Sequence, residues 1–459
     1  MTHHLFLGID FGTSGARSVA IDADGAIAAE GRCDFSLAQP QEWPSLWRSA
    51  LDDVIIQIPA STRRDIRAIA INGTSGTVLW CDEAGTPLKP PLLYNDNRGQ
   101  AVLPLVRAIA PAEHVALSAT SSFAKWVWWH CGEEGARKGE QKLLEAADSQ
   151  TARTEALKIL EQSSERIAPG YLLHQSDWLA FLLHGRMSVS DYHNSLKLGY
   201  DVQQLSYPQW MQGLPTRLQM PRQVLIPGTP IACVTPAIAD RLGLAQDCQI
   251  CAGTTDSIAA FLASGASQPG EAVTSLGSTL VLKLLSETPV NASHYGVYSH
   301  RLDAFAKSDR PLWLVGGASN TGGAVLRQFF SDADIERLSH AIDPNEASLL
   351  DYYPLLTPGD RFPINDPNLL PRLSPYPETD EAFLHGLLES IARIEAHGYR
   401  LLQELGASPL AQVYTAGGGA KNQIWTQIRQ RHIGVPVGLS AQPDAAYGTA
   451  RLARTHFQP

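Results

Sequence analysis

Residues 5–27, LFLGIDFGTSGARSVAIDADGAI, decide how the chain begins to fold. An apolar strand runs from Leu5 to Ile9, and a turn of small residues carrying Gly12, Thr13, Ser14 and Gly15 follows it. In a Rossmann or Walker-type loop a helix would start next, its N-terminus aimed at a phosphate. Here Ser18, Val19, Ala20, Ile21 and Asp22 read as a second strand, and Asp24-Gly25 makes a hairpin turn into a third. The pattern is a glycine–threonine turn between antiparallel strands, with a buried-looking Asp10 at the end of the first.

At 459 residues the chain exceeds the usual size of one hydrophobic core, so two domains are expected. Apolar content of 44% fits a globular protein and gives no sign of disorder. The 36 Lys and Arg against 46 Asp and Glu leave a net charge of −10, with no basic run. That balance argues against nucleic acid or an anionic membrane as the main partner, although backbone amides can hold a phosphate without net positive charge. No stretch approaches the roughly 18 apolar residues of a membrane span. The first ten residues, MTHHLFLGID, lack the basic region and cleavage site of a secretory signal. The six cysteines are scattered apart from Cys248-Gln-Ile-Cys251, which no second pair or histidine cluster accompanies. A reduced, cytoplasmic, soluble protein is expected, or a plastid one if a transit peptide has been removed.

Residues 64–80, RDIRAIAINGTSGTVLW, read as strand, glycine-rich turn, strand. Between 131 and 170 the chain becomes charged and rich in helix formers, and Leu143, Leu144, Ala147, Leu157 and Leu160 fit a helical stripe only loosely. A solvated helical insertion is the expectation there. The second half opens on another apolar strand, CQICAGTTD, running into a helix, SIAAFLASGA. Residues 271–287, EAVTSLGSTLVLKLLSE, then repeat the opening: Ser275-Leu276-Gly277-Ser278 stands where Asp10-Phe11-Gly12-Thr13 stood. Two such hairpins suggest a duplicated α/β domain with a cleft between the copies. WLVGGASNTGGAVLRQFF and VYTAGGGAKNQIWTQIRQRHIG each place a glycine cluster between a buried strand and a helix. Such turns bring backbone amides close to a ligand.

Taken in order, these motifs resemble the FGGY carbohydrate kinases of the sugar kinase/heat-shock chaperone/actin superfamily. GIDFGTSGARSVAID is similar to the family's first phosphate hairpin, and CAGTTDSIAAFLASGA to its catalytic-aspartate segment. TSLGSTL is similar to the second phosphate hairpin, and TAGGGAKNQIW to the adenosine motif. SSFAKWVWW partly fits the family signature around Ser122, Lys125, Trp126 and Trp128. The resemblance implies two actin-like (ribonuclease H-like) α/β domains, each a mixed five-stranded sheet with flanking helices, divided near 252/253, with the last helix able to pack back on the first domain. Within the family, NGTSGTVLWCD, SDYHNSLKLGY and DYYPL resemble the D-ribulose kinases of cyanobacteria and plants. Glycerol kinases carry an Arg-Glu pair and ordinary xylulose kinases a Met-His pair where this chain has Thr74-Ser75. The implied activity is ATP- and Mg²⁺-dependent phosphorylation of D-ribulose by a monomer or homodimer. D-xylulose, another polyol, or a non-catalytic ATP-binding clamp are the alternatives.

Phosphoryl transfer asks the protein to hold Mg²⁺ and the phosphates, align the acceptor hydroxyl and take its proton. Asp256, between a strand and a helix, is the expected general base; a helix N-cap is the other job for an Asp there. Asp10 is expected to meet Mg²⁺, and an Asx-turn acceptor is its structural alternative. Thr13 and Ser14 would donate to the transferred phosphate, with Gly12 and Gly15 permitting the turn. The resemblance assigns Gly277 and Ser278 to the β- and γ-phosphates. It sets Gly417, Gly418 and Gly419 beside ribose and adenine, with Asn422 and Trp425 bordering the base, although Trp425 reads equally as a core residue. Ser75 is the best sugar contact, alongside Asp10, Ser14 and Asp256. Asp96 and His193 are expected to shape the cleft.

Overall fold

The structure, a computed structural model, describes residues 4–36, 39–215, 217–303 and 310–457. The chain divides into two compact units, 1–263 with 444–459, and 264–443. The division expected at 252/253 therefore moves beyond the Asp256–Ala263 helix. That helix packs on the C-terminal helix Ala445–Arg454, which holds both in the first unit.

In the first unit, β1 (Leu5–Phe11), β2 (Gly15–Ile21), β3 (Ile27–Asp34) and β4 (Ile66–Gly73) lie in the order β3-β2-β1-β4, followed by Gln249–Cys251 and Pro230–Cys233. β2 is antiparallel to β1 and β3, whereas β4 is parallel to β1 and Gln249–Cys251 is parallel to β4. The alternation in β1 explains why it is covered on both sides. Leu5, Leu7, Ile9 and Phe11 pack with Trp47, Val54 and Ile55 of the Trp43–Ile56 helix. Phe6, on the opposite face, packs with Val19, Ala68, Ala446 and Ala450. Gly8 shares that second face, and a Cβ there would lie 2.1 Å from the Ala446 carbonyl. Glycine lets the C-terminal helix lie directly on β1, on the face that also carries Asp10.

In the second unit the spatial order is Trp313–Ser319, Leu280–Ser286, Glu271–Leu276, Gln412–Ala416 and Val437–Leu439. Directions follow the same rule, antiparallel up to Glu271–Leu276 and parallel beyond it. Both units thus repeat one five-strand topology, with a glycine–hydroxyl turn joining the first two strands. The sheets are larger than the five strands expected. Pro230–Cys233 and Thr254–Thr255 extend the first, and Tyr298–Arg301 extends the second.

The charged segment is helical but not merely solvated, which corrects the expectation for 131–170. The helix Ser122–Leu144 breaks at Gly132 (φ 58°), and Ser149–Ser164 is capped by Asp148. Ala136, Ala156, Ile159 and Leu160 enter a core with Leu105, Val106, Ile109 and Trp126. Arg153 donates to the carbonyls of Ile109 and Trp210. Charge dominates the composition here, yet a narrow apolar face suffices to bury both helices. All six cysteines are free, and burial pushes the Cys248 and Cys251 thiols up. Among the described residues, no helix is long and apolar enough to cross a membrane.

Candidate active site

Three parallel segments of the first sheet end side by side. Asp10 on β1 is in register with Asn72 on β4, and Thr254 is in register with Asn72 on the far side. Asp256 follows two residues later as the first residue of its helix, one of its carboxylate oxygens accepting the Ser257 amide at 2.7 Å. Gly448 of the C-terminal helix fixes where this helix lies, since a Cβ there would sit 1.9 Å from the Ala259 carbonyl. Asp10, Gly12, Thr13, Ser14, Asp256 and Ala260 share the wall of one cavity of about 390 Å³. The carboxyl ends of parallel strands are where open α/β sheets bind ligands.

The turn that closes the hairpin is held by backbone bonds, Gly12 N–H to the Gly15 carbonyl at 3.0 Å and Phe35 N–H to the Ser14 carbonyl at 2.8 Å. An Asx turn at Asp10 would need the Gly12 amide, which is directed to Gly15 instead. Glycine is sterically demanded at Gly15, where a Cβ would meet the Cys33 carbonyl at 2.6 Å. At Gly12 nothing lies nearer than 3.7 Å and φ is not left-handed, so the turn does not require glycine there. Thr13 and Ser14 are exposed at the tip.

Asp10 is the electrostatic centre of this wall. Burial pushes its carboxyl up to about 7, and Asp256 and Asp444 push the same way, against Arg17 and Asn72. Asp444 caps the C-terminal helix through Ala446 N–H and pairs with Arg17 at 3.3 Å. The sequence reading missed Asp444 and Arg17. Arg17 was within reach, because a hairpin with this turn sets it opposite Asp10. Asp444 comes near Asp10 only because the C-terminal helix it caps lies on β1, which depends on Gly8. Crowded carboxylates of this kind suit a cation. Among the described residues no group of three or more His, Cys, Asp or Glu could hold a metal by itself. Asp10 and Asp256 are the carboxylates of this wall that could hold Mg²⁺, which commonly takes one or two carboxylates and completes its shell with water and substrate phosphate.

Ser75 lies half-buried in the turn that follows β4, outside the Asp10 cavity wall. Thr74 anchors this turn through Thr77 at 2.6 Å and Gln175 at 3.0 Å, and Gly76 takes φ 84°. Asp96 is held by Arg98 through both carboxylate oxygens. Burial opposes its ionisation, yet the Arg98 bonds keep the carboxyl below its usual range. His193 is buried, its Nδ1 2.7 Å from the Thr254 hydroxyl.

The remaining candidates sit in the second unit. The Gly277 carbonyl accepts Gly323 N–H at 2.9 Å, and the Ser278 hydroxyl accepts from Arg327 at 3.3 Å. Gly417 takes φ 86°, with the Leu276 carbonyl 2.7 Å from where a Cβ would stand. The two glycine turns therefore abut. Gly418 is exposed with open space around it. Asn422 caps the Gln423–Ile433 helix at Trp425 N–H and donates to Ser339. Trp425 is buried at 2% exposure, beneath Gly419.

Paired sheets of one topology, each with a glycine–hydroxyl turn between its first strands, and a carboxylate pair at one of those turns define a sugar-kinase-like protein. Solved structures agree on the fold. The xylulose kinase of Rhodospirillum rubrum matches with a TM-score of 0.77 at 18% identity, covering 99% of this chain and 90% of that one. Plasmodium falciparum glycerol kinase with ADP matches with a TM-score of 0.77 at 16% identity, over the same shares. A xylulose kinase of Streptomyces coelicolor is 25% identical over 98% of this chain and 87% of its own. Residues 5–121 match the N-terminal domain of the FGGY family of carbohydrate kinases, and residues 272–455 match its C-terminal domain. The chain belongs to the FGGY family of carbohydrate kinases.

Proposed function

We propose that this protein transfers the γ-phosphoryl group of ATP to the terminal hydroxyl of a ketopentose, with Asp256 as general base. The observation that carries the reading is the placement of Asp256 and Asp10 on one cavity wall with the Gly12–Ser14 turn. Asp256, the first residue of its helix, takes the proton of the acceptor hydroxyl. Asp10 would hold the Mg²⁺ that travels with ATP, which when bound neutralises phosphate charge. Thr13 and Ser14 offer hydroxyls and amides to the transferred phosphate, and the space at Gly12 admits its close approach. Gly277 and Ser278 are assigned to the β- and γ-phosphates, and Gly417, Gly418 and Gly419 to the backbone surface beside adenosine. With Trp425 buried and Asn422 engaged in capping, these two support that surface from below.

Ser75 offers one donor and two acceptor sites to a neutral sugar hydroxyl, whereas the charged pairs that suit a small polyol are absent from its turn. The curated relatives named xylulose kinases favour D-xylulose as substrate. D-ribulose is the second reading, supported by the segments GTTDSIAAFLASGASQPGEAVTSLGST and SDYHNSLKLGY. A coupled ADP-release assay with D-xylulose, D-ribulose, glycerol, gluconate and an aldohexose tests both. A ketopentose should lead, with kcat/KM for glycerol lower by up to about 10⁴-fold. Glycerol turnover equal to the pentuloses would refute the argument from Thr74-Ser75. ADP release that no sugar stimulates would refute the kinase reading.

A further inference from the structure

The proposed roles leave Lys125 unused, although its side chain is fully buried. It stands in the first turn of the Ser122–Leu144 helix, where the helix dipole disfavours a cation. A lysine is almost never buried without compensation. Here its Nζ donates to the Gly76 carbonyl at 2.7 Å and to the Leu93 carbonyl at 2.6 Å. Those carbonyls belong to separate loops. One is the Thr74–Thr77 turn that carries Ser75, closed by Thr77 N–H to the Thr74 carbonyl at 3.2 Å. The other leads into Tyr94–Arg98, where Asp96 N–H donates back to Leu93 and Arg98 locks the Asp96 side chain. Gln175 also holds the turn, its side chain accepting from Thr74 and its N–H donating to the Thr77 carbonyl, and Val78 and Leu92 pair through their backbones beyond the two loops. Lys125 is the side chain that joins the Gly76 and Leu93 carbonyls themselves. We infer that Lys125 is a positioning residue whose ammonium staples the Ser75 turn to the Leu93–Arg98 loop and so sets the shape of the sugar-facing wall.

This inference rests on the reading of Ser75 as the sugar contact. The charged groups around the ammonium are Asp96, which favours its protonated form, and Lys197 and Arg98, which oppose it. Burial is the largest influence and pushes Lys125 down to about 7. The protonated form grips both carbonyls by charge-assisted bonds, and the neutral amine grips them more weakly. The staple is therefore complete below about 7 and loosens as the pH rises through that value.

The test measures steady-state kinetics of Lys125→Met and Ser75→Ala with D-xylulose and D-ribulose as the probe sugars. K125M takes the donor from the buried Gly76 carbonyl and leaves the Leu93 carbonyl only its bond from Asp96 N–H, which should raise the KM for the sugar about 10- to 100-fold while the KM for ATP stays within about two-fold. S75A should also raise the sugar KM. At saturating MgATP, kcat/KM for the sugar in the wild-type enzyme should fall as pH rises through about 7, and K125M should lose that limb. A K125M enzyme in which both KM values are unchanged, or in which sugar and ATP kinetics worsen in parallel with a lowered Tm, overturns the staple while an S75A effect leaves the sugar site standing. A silent S75A overturns the sugar site at Ser75 itself. If K125M does not fold, the wild-type pH profile decides: a sugar kcat/KM that is flat from about pH 6 to about pH 9, on either side of the value near 7, overturns the staple.

Discussion

Replacing Asp10 by Asn should stabilise the ligand-free protein at alkaline pH while lowering the Mg²⁺-dependent turnover proposed for it. The free carboxyl ionises near 3.8 and the folded one near 7, so the folded state holds a proton that the unfolded state has already lost. Wild-type stability therefore falls as pH rises from about 4 to about 7 and levels off above that. Forcing the charge into the folded state over that span costs about 4 kcal/mol at most. Because Asp10 lines an open cavity, solvent screening reduces this to about 1–3 kcal/mol. Asparagine has the same shape and no charge, so the variant escapes the penalty. Differential scanning calorimetry at pH 8 without ligand should show D10N melting roughly 2–10 °C above wild type. Below pH 3.8, where both forms of Asp10 are protonated, the two proteins should melt together. Mg²⁺ titration at saturating ATP should show turnover reduced far more than nucleotide affinity. An advantage that is absent at pH 8, or equally large at both pH values, would refute the account of Asp10 as a buried carboxylate crowded by Asp256 and Asp444.

Asp256→Asn should lower kcat by about 10²–10⁴, with ATP affinity and Tm near wild type because Asn also serves at a helix start. Near-normal ADP release with a ketopentose would leave Asp256 a structural residue. Replacing 132–166 by a short loop should destabilise the protein severely, since it strips Ala136, Ala156, Ile159 and Leu160 from their core. Burial of Ile159 and Leu160 alone contributes about 3–6 kcal/mol, a large share of the usual total, so an unchanged Tm and turnover would show that core to be dispensable.

Much of the site is legible along the chain because its parts are local. The period-two alternation of residues 5–11, the small-residue turn and the Asp24-Gly25 hairpin define the first three strands without reference to anything distant. The same grammar at 271–287 marks the second unit, and Asp256 stands out at a strand-to-helix junction. The helical segment 131–170 was legible as helix but not as core, because a few apolar residues among many charges gain meaning only from Leu105 and Ile109 lying opposite them.

Sequence alone thus determined the hairpins, the glycine turns and the carboxylates at their ends, each encoded in residues adjacent along the backbone. The tertiary structure decided what those groups are chemically. Asp10 is held near 7 by burial and by Asp256 and Asp444, which join it because Gly8 and Gly448 let the last helix lie against β1 and against the Asp256 helix. Lys125, which stands just before Trp126 in the helical run SSFAKWVWW, becomes a bridge only when two loops place their carbonyls within 2.7 Å of its ammonium. Charge state and hydrogen-bond partnership depend on distances between segments far apart in the chain, and no local pattern of residues carries those distances.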